Sequence, residues 1–522
     1  MRSTFLGFNI VKSGLFAAQR SLDITGHNIS NVNTPGFTRQ RLNQAQSAPM
    51  TLPGGKGMLG AGVDSLSITQ FRNEFLDFKY RSETNTQGYW QTKGEGLRFI
   101  EAIMNEPSDT GITTVIDEMF SALQELSKNP ENLTTRALVR QRGIAFTNTV
   151  KHMYNQFEKM AKDLNFDIQT TVTSINGYAD QIALLNDQIF RAELDGSHAN
   201  DLRDRRNLLI DELSKLVNVD IVEVSDINDQ TVSGQAGSAT TKKMVLQING
   251  QPLVYHNRVN KLDAAGEVDS SFDSQIKMKQ IKWANGDLID AKGLKGELKA
   301  LLDLRDGNDG NRKGVPFYIN ELNKFVNTFA KEINDIHRKS YGLNGATDII
   351  AGIGDATNGA GYLMFTAGKI SSQDMYNAGV LESNRITAKN ISISLDIDID
   401  LNKIAASKTI DLLPGDGSQA LAMSLLRHKT AMFQEGKPED FIKSLISNLG
   451  VDTQEAIRMY ANQKHLTDQI NNQREAISGV SMDEEMSNMV RFQHAYNAAA
   501  RMITTMDEMI DTIIHKIGLV GR

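Results

Sequence analysis

Apolar residues at both ends of the chain fall on helical seams. Near the N-terminus Phe8, Val11, Leu15, Ala18, Leu22, Thr25, Ile29 and Val32 alternate in steps of three and four, the heptad spacing that keeps one face of a helix apolar. As one helix this seam spans about 37 Å at 1.5 Å per residue. At the C-terminus Met482, Met486, Met489, Gln493, Tyr496, Ala500 and Ile503 keep the same spacing. After one three-residue slip, Met506, Ile510, Ile513 and Ile517 continue it. Such a slip overwinds a coiled coil locally without ending it. Either stripe alone reads as the core face of an ordinary helix. Together, at chain ends that fray unless tied down, they predict that the ends pair with each other or with neighbouring copies.

A third long pattern lies between them. After Asn129-Pro130, apolar residues recur helically at Phe146, Val150, Met153, Phe157, Met160, Leu164, Ile168, Val172, Ile175, Ile182, Leu185 and Ile189, which predicts a rod-like helical bundle. "NDLRDRRNLLIDELSKLV", 200–217, predicts a shorter helix with Asn200 or Asp201 as N-cap. From about 218 to 295 the period becomes two. Asn249-Gly250 and Asn285-Gly286 stand between strand-like runs, the strongest short-range hairpin signal. Helices return in "GELKALLDLRDG" and "VPFYINELNKFVNTFAKEINDIHRKSYG". In "ISISLDIDIDL" every odd position from Ile391 to Leu401 is apolar and every even one polar, which predicts a half-buried strand.

The expected fold is multidomain α+β. Coiled-coil-like terminal helices pair across 1–45 and 480–522, and a mainly helical body comprises 46–217, 296–340 and 416–479. A β-rich insertion occupies 218–295 and a second β-containing insertion 341–415, both as outer domains.

A chain of 522 residues exceeds what one hydrophobic core supports, in keeping with several domains. The net charge of −7, with no block of like charge, excludes a polybasic surface for nucleic acid or membrane. Cysteine is absent, which removes disulfides, thiolate metal sites and cysteine nucleophiles. Asn9 and Lys12 interrupt the apolar start, so no secretory signal peptide is expected. No stretch approaches the ~18–20 apolar residues of a membrane helix, so no membrane insertion is expected either.

Candidate chemistry is sparse. "GKGMLG", 55–60, matches a dinucleotide fingerprint in letters but lacks the strand before it and the helix after it. Asp396, Asp398 and Asp400 would share one strand face and could chelate a cation, although a solvated face accounts for them better. "DGNDG", 306–310, fails as a calcium loop, with Asn311 at the glycine position and Phe317 at the closing acid. The histidines are scattered, and neither a nucleophile elbow nor a P-loop occurs. No catalytic residue, cofactor or metal site is therefore expected. Six methionines between Met482 and Met509 suit a face that changes partners, and ordinary core packing explains them equally well.

The polar segment after the first seam carries a resemblance. "ITGHNISNVNTPGFTRQRL", with Asn28, Asn31, Thr34, Pro35, Gly36 and Phe37, resembles the N-terminal signature of the bacterial flagellar axial proteins (rod, hook and hook-associated). "GAGVDSLSITQFRNEFLDFKYR", "NDLRDRRNLLIDELS", "GLKGELKALLDLRD" and "SGVSMDEEMSNMVRFQHAYNAAARMITTMDEMIDTII" are similar to the hook-associated branch in particular. These segments cover about half the chain, from end to end and in the family's order. His27, Ser30 and Phe37 depart from the residues usual in relatives.

The resemblance implies a self-assembling, non-enzymatic component of the flagellum at the junction of hook and filament. It would be secreted through the flagellar type III channel. Implied partners are copies of itself, the hook protein, a second junction protein (hook-associated protein 3) and a dedicated export chaperone. Assembly would fall to Phe8, Val11, Leu15, Ala18, Leu22, Ile29 and Val32. Assembly and chaperone binding would share Met486, Met489, Tyr496, Ile503, Met506, Ile510, Ile513 and Ile517. The six motif residues from Asn28 to Phe37 would cap the first helix, turn the chain toward the next domain and offer polar contacts to adjacent subunits. The alternative within the family is a hook or distal-rod protein, disfavoured by "TPGFTRQ" and by the long helical segment at 135–190. A cation- or glycan-binding enzyme in the insertions rests only on the three aspartates.

Overall fold

The computed structural model describes the chain outside residues 1–5, 52–56, 106–107, 109–110, 195, 226–241, 356–358, 379–384 and 517–522. The first seam forms α1 (Leu6–Ser30) and the last forms α12 (Met482–Lys516), and the two pack together. After α1 the chain makes β1 (Gln40–Gln46), β2 (Met50–Thr51), β3 (Met58–Leu59) and β4 (Val63–Gln70). β1 pairs antiparallel with β4 and β2 with β3, an extended hairpin lying on α1.

The body follows with α2 (Glu74–Met104), α3 (Ile112–Lys128), α4 (Leu133–Ala192) and α5 (Asn200–Leu216). α4 has 60 residues, about 90 Å at 1.5 Å per residue. Asn132 starts it by accepting from the Thr134 amide. Its apolar seam from Phe146 to Ile189 is buried at nearly every predicted position, which sustains a helix far longer than propensity alone would. Gly88 on α2 is required by a close approach: a Cβ there would sit 2.5 Å from the Lys215 carbonyl of α5.

The first insertion is β-rich, as its period of two predicts. β5 (Asp220–Ser225), β6 (Lys242–Ile248), β7 (Gln251–Tyr255) and β8 (Arg258–Val259) form an antiparallel sheet in that order. β9 (Leu262–Asp269) pairs with β10 (Lys277–Trp283). Asn249 and Gly250 both have positive φ, 51° and 78°, as the tight turn between β6 and β7 demands.

The chain returns through α6 (Glu297–Asp306) and α7 (Val315–His337). The second insertion holds β11 (Phe365–Ala367), α8 (Ser372–Asn377), β12 (Ile391–Ile393) and α9 (Leu395–Ile399). α10 (Ser418–Leu425) and α11 (Pro438–Ser478) complete the body. α11 runs antiparallel to α2, with Gly94 beside Ala456 and Gln463 bonded to Glu83. An aromatic cluster joins α4, α7, α11 and β11: Phe146–Phe329 and Phe433–Phe441 centroids lie 4.8 Å apart, and Phe325–Phe433 5.3 Å. One continuous apolar core runs through the body and both insertions.

Four expectations need correction. The alternating "ISISLDIDIDL" is strand only over Ile391–Ile393; α9 and a 3-10 turn at Leu401–Lys403 follow. Asp396 accepts from the Ser372 amide and the Ser394 hydroxyl, and Asp400 caps the Asn402 amide. The bonds from Ser394 and Asn402, each two positions away, compete with a ladder, and Ile397 is buried while Ile399 is 76% exposed. The second insertion accordingly has only two three-residue strands among its described residues. α1 ends at Ser30, leaving Val32 in the following turn. The N-cap of α5 is Ala199, not Asn200 or Asp201; the Asn200 amide is engaged by Gln40 and the Ile68 carbonyl instead. The boundary expected at 45/46 also falls inside β1, whose hairpin sits on α1.

Candidate functional site: the terminal helix pair and its elbow

α1 and α12 run antiparallel. Asn28 meets Glu485 at one end and Gly7 faces Met506 at the other, 21 residues apart on each helix. Along α1, Phe8, Val11, Leu15, Leu22 and Ile29 are half-buried and Ala18 is buried. Along α12, Met489, Tyr496, Ile503, Met506 and Ile510 are half-buried. Met486 is 49% exposed and lies off the seam. Phe492 is half-buried where the heptad spacing predicts Gln493, and Gln493 is exposed. Ile513 is carried on α12, and Ile517 lies outside the described residues.

The seam is shallow. Among the described residues of the two helices, Ala17 and Ala18 are the only fully buried apolar side chains. Met482, Val490, Met502, Met509 and Ile514 of α12 and Phe16 of α1 stay 41–62% exposed. Ser13 and Ser21 of α1 accept hydrogen bonds from the Val63 amide and the Gln44 side chain of the hairpin, at 3.2 Å each.

The Asn-x-x-Asn-x-x-Thr-Pro-Gly-Phe motif makes the turn that brings β1 back onto the helix end. The buried Asn28 donates through Nδ2 to the Gln40 carbonyl (2.9 Å) and accepts at Oδ1 from the Gln40 amide (3.0 Å). Its side chain so mimics a strand partner. Asn31 donates through both its backbone amide (3.2 Å) and its side chain (3.0 Å) to the His27 carbonyl at the helix end, and Thr34 donates to Asn31 (3.1 Å). Thr34 and Pro35 are exposed, Gly36 takes a φ of 77°, and Phe37 meets the His27 ring edge-on at 5.3 Å. Positive φ is what glycine supplies at such a turn.

Past this turn the chain enters a polar elbow that no sequence pattern marked. The Arg39 amide donates to the Ser478 carbonyl at the end of α11 (2.8 Å). Its guanidinium donates to Glu485 (2.8 Å) and Glu484 (2.7 Å) and lies 5.3 Å from the Phe71 ring centroid. Glu485 is 2% exposed and also accepts from Asn28 (3.2 Å). One residue earlier, the Thr38 amide and hydroxyl both donate to Asp204 of α5, at 2.9 and 2.7 Å.

From Asp204 a row of alternating charges crosses the body. Arg72 reaches Asp204 (3.3 Å) and Asp77 (2.6 Å), and Arg474 reaches Asp77 (3.6 Å) and Asp211 (2.6 Å). Arg81 closes the row on Asp211 (2.6 Å). Burial pushes the Asp204 carboxyl up to about 6, against the Thr38 hydrogen bonds and the Arg72 charge. Each member has an opposite neighbour, as buried ions require. The row ties the loop before α2, α2 itself, α5 and α11 to the segment leaving the terminal pair.

The aspartates singled out for a cation are engaged within the protein: Asp396 and Asp400 as above, and Asp398 with Lys369. Asp309 of "DGNDG" accepts from the Asn311 and Arg312 amides. Among the described residues no group of three or more acidic or histidine side chains is arranged to hold a metal ion. Nor is any described helix long and apolar enough to cross a membrane.

The two halves of the terminal module match known protein-family models separately. Residues 8–38 match the model described as "Flagella basal body rod protein", and 471–515 that described as "Flagellar basal body rod FlgEFG protein C-terminal". Helix, motif and closing helix together are those of the flagellar axial proteins. Residues 97–349 match the "Flagellar hook-associated protein FlgK helical domain". The flagellar hook-associated protein 1 of Bacillus subtilis (strain 168) is 30% identical over the whole of both chains. That of Escherichia coli (strain K12) is 27% identical over 97% of this chain and 99% of its own. This chain belongs to the flagellar hook-associated protein 1 family and is a structural component of the bacterial flagellum. Its fold is that of the flagellar hook junction protein FlgK from Burkholderia pseudomallei, with a TM-score of 0.55 at 16% identity over 78% of this chain and all of that one.

Proposed function

We propose that this chain assembles at the junction between hook and filament through the α1–α12 pair, without catalysing a reaction. It meets copies of itself, the hook protein and hook-associated protein 3 there. Before secretion through the flagellar export channel, a dedicated chaperone covers the apolar face of α12. The observation that carries this reading is the shallow seam. Two long helices that, among their described apolar side chains, fully bury only Ala17 and Ala18 leave apolar area for further partners, as an interface-forming element does. The engagement of Asp396, Asp398 and Asp400 with protein groups supports a structural role for the second insertion.

The test removes the pair. Chains lacking residues 1–40 or 483–522 should keep a cooperative melt of the helical body and should no longer incorporate at the hooks of cells lacking the full chain. Incorporation of either truncated chain, imaged at the hook tip, would refute assembly through this module.

A further inference from the structure

The α1–α12 seam offers little that distinguishes one axial alignment from another. α1 contributes small residues at Gly7, Gly14, Ala18 and Thr25, and α12 contributes Met489, Ala499, Ala500 and Met506. Small side chains leave no unique hole, and methionine refits to irregular surfaces. With heptad spacing on both helices, a slide of seven residues again sets apolar against apolar. Position 7, which faces Met506, would then face Ala499.

One buried group breaks this degeneracy. Glu485 is 2% exposed, the only such charged side chain among the described residues of the pair. Its two oxygens are held by Asn28 (3.2 Å) and by the Arg39 Nε (2.8 Å). Arg39 is itself fixed to the body by the hydrogen bond its amide donates to the Ser478 carbonyl and by the Phe71 ring, and Asn28 is fixed to Gln40. A slide of one heptad sets Glu485 opposite Ser21, beside Ala17, Ala18 and Leu22, or else beyond the end of α1 at Ser30, and in both cases parts its carboxylate from Asn28. That state is costly in a way that a displaced methyl group is not.

We propose that the Asn28–Glu485–Arg39 triad sets the register of the terminal helix pair, with Glu485 the register-determining residue. Because Arg39 is anchored on α11 and beside Phe71, the triad fixes the pair relative to the body as well as each helix relative to the other. Buried polar groups have this role in coiled coils, where they select alignment at a cost in stability. The triad deepens the assembly reading, since subunits with mixed registers would present mixed faces to their neighbours.

The chain has no cysteine, so a disulfide between two introduced cysteines reports on their proximity alone. Gly7→Cys with Met506→Cys samples the observed register, and Gly7→Cys with Ala499→Cys samples the slide of one heptad. Both are oxidised in dilute full-length monomer, so the result does not depend on assembly. In the otherwise unaltered chain only the first pair should close. With Glu485→Leu added, the second pair should close at a rate comparable to the first, whereas Glu485→Gln, which can still bond Asn28, should keep the single register.

A slid pair that stays unreactive in Glu485→Leu would overturn the proposal. Should Arg39, left with Glu484 alone, unfold that variant, Arg39→Met with Glu485→Leu removes both members of the buried pair and repeats the question under the same criterion. Loss of the helix pair in both variants would also overturn it, because the triad would then be holding the helices together rather than choosing an alignment. A Glu485→Leu chain that slides yet still incorporates at hooks would leave the register assignment standing and refute its consequence for assembly.

Discussion

His337, the last residue of α7, is fully buried, and burial opposes its protonation more strongly than its hydrogen bond to the Tyr362 carbonyl favours it. Nδ1 lies 2.8 Å from the Tyr362 carbonyl, which can only accept, so Nδ1 carries the proton. Nε2 accepts from the Ala405 amide at 2.9 Å. The neutral ring thereby stitches α7 to both sides of the second insertion. A second proton would set N–H against N–H in a fully buried site beside Arg136. Burial holds the ring down at about 4, with the Arg136 charge acting in the same direction. The unfolded ring takes its proton near pH 6.5, so acidification favours the unfolded chain between about pH 6.5 and 4 and adds nothing below. The gap corresponds to at most about 3 kcal/mol.

Asp204 has the opposite sign in nearly the same window. Its folded carboxyl titrates at about 6, above the ordinary value of 3.8, so acidification favours the folded chain between about pH 6 and 4, again by at most about 3 kcal/mol. The two contributions largely cancel in the unaltered protein, and single variants expose them. His337→Gln should lose about 1–3 kcal/mol at pH 7 by leaving buried partners poorly satisfied, and that deficit should shrink as the pH falls to 4. Asp204→Asn should fall behind the unaltered chain as the pH falls over the same range. Denaturant unfolding at fixed pH values from 7 to 4 reads both differences. Parallel stability curves for the unaltered chain and His337→Gln would refute the buried neutral histidine.

Other outcomes follow from the same geometry. Asn28→Ala removes three hydrogen bonds at a buried site and should cost about 1–3 kcal/mol, read as faster amide exchange at Gln40 and along α12. Leu22→Pro should cost α1 about 3 kcal/mol and block incorporation at hooks while leaving chaperone capture intact; loss of capture would put the chaperone site partly on α1. Changing Ile510, Ile513 and Ile517 together to Ser should weaken chaperone capture and junction assembly in parallel, and a pull-down with unaltered capture would show that the two partners use different faces. Phe146→Ala, at the centre of the aromatic cluster, should cost about 3–5 kcal/mol and lower the melting temperature without shifting incorporation of the folded fraction.

Elements with a sustained period are legible in the residues themselves. α4 can be read from Phe146 to Ile189 because a long seam leaves no other way to bury those residues, and Asn249-Gly250 marks its hairpin because few other residues tolerate that turn. The alternation from Ile391 to Leu401 misleads for a physical reason. Period two is evidence for a strand only when one face is buried, and here Asp396 bonds the Ser394 hydroxyl and the distant Ser372 amide while Asp400 caps the Asn402 amide, so the backbone curls instead. The elbow is invisible in the sequence for a different reason. Arg39 and Glu485 are 446 positions apart, Arg81 and Asp211 are 130 apart, and single charged residues carry no period. "TRQRL", "NDLRDRR" and "SMDEEM" all stand inside segments that resemble the family. Nothing in their spacing says that they meet.

The distribution of burial in the terminal module indicates where its order comes from. Fixing backbone costs on the order of 1–2 kcal/mol per residue, and a pair whose only fully buried apolar side chains, among the described residues, are two alanines gains little apolar stabilisation to offset it. The hairpin on one flank of α1 adds mostly polar contacts through Ser13 and Ser21. The strong interactions are gathered at the Asn28–Gln40–Glu485–Arg39 end, while among the described residues the Gly7–Met506 end shows van der Waals contact alone. Stability should therefore fall along the pair from the elbow outward. Amide exchange in the full-length monomer should be slowest near residues 28–40 and 484–492 and should quicken steadily toward Gly7 and Met506. Uniform protection along both helices would mean that the seam stabilises the pair without help, and would remove the reason for expecting the outer end to order on a neighbour. A gradient that flattens once subunits are added would identify that outer end as the part that neighbouring subunits complete.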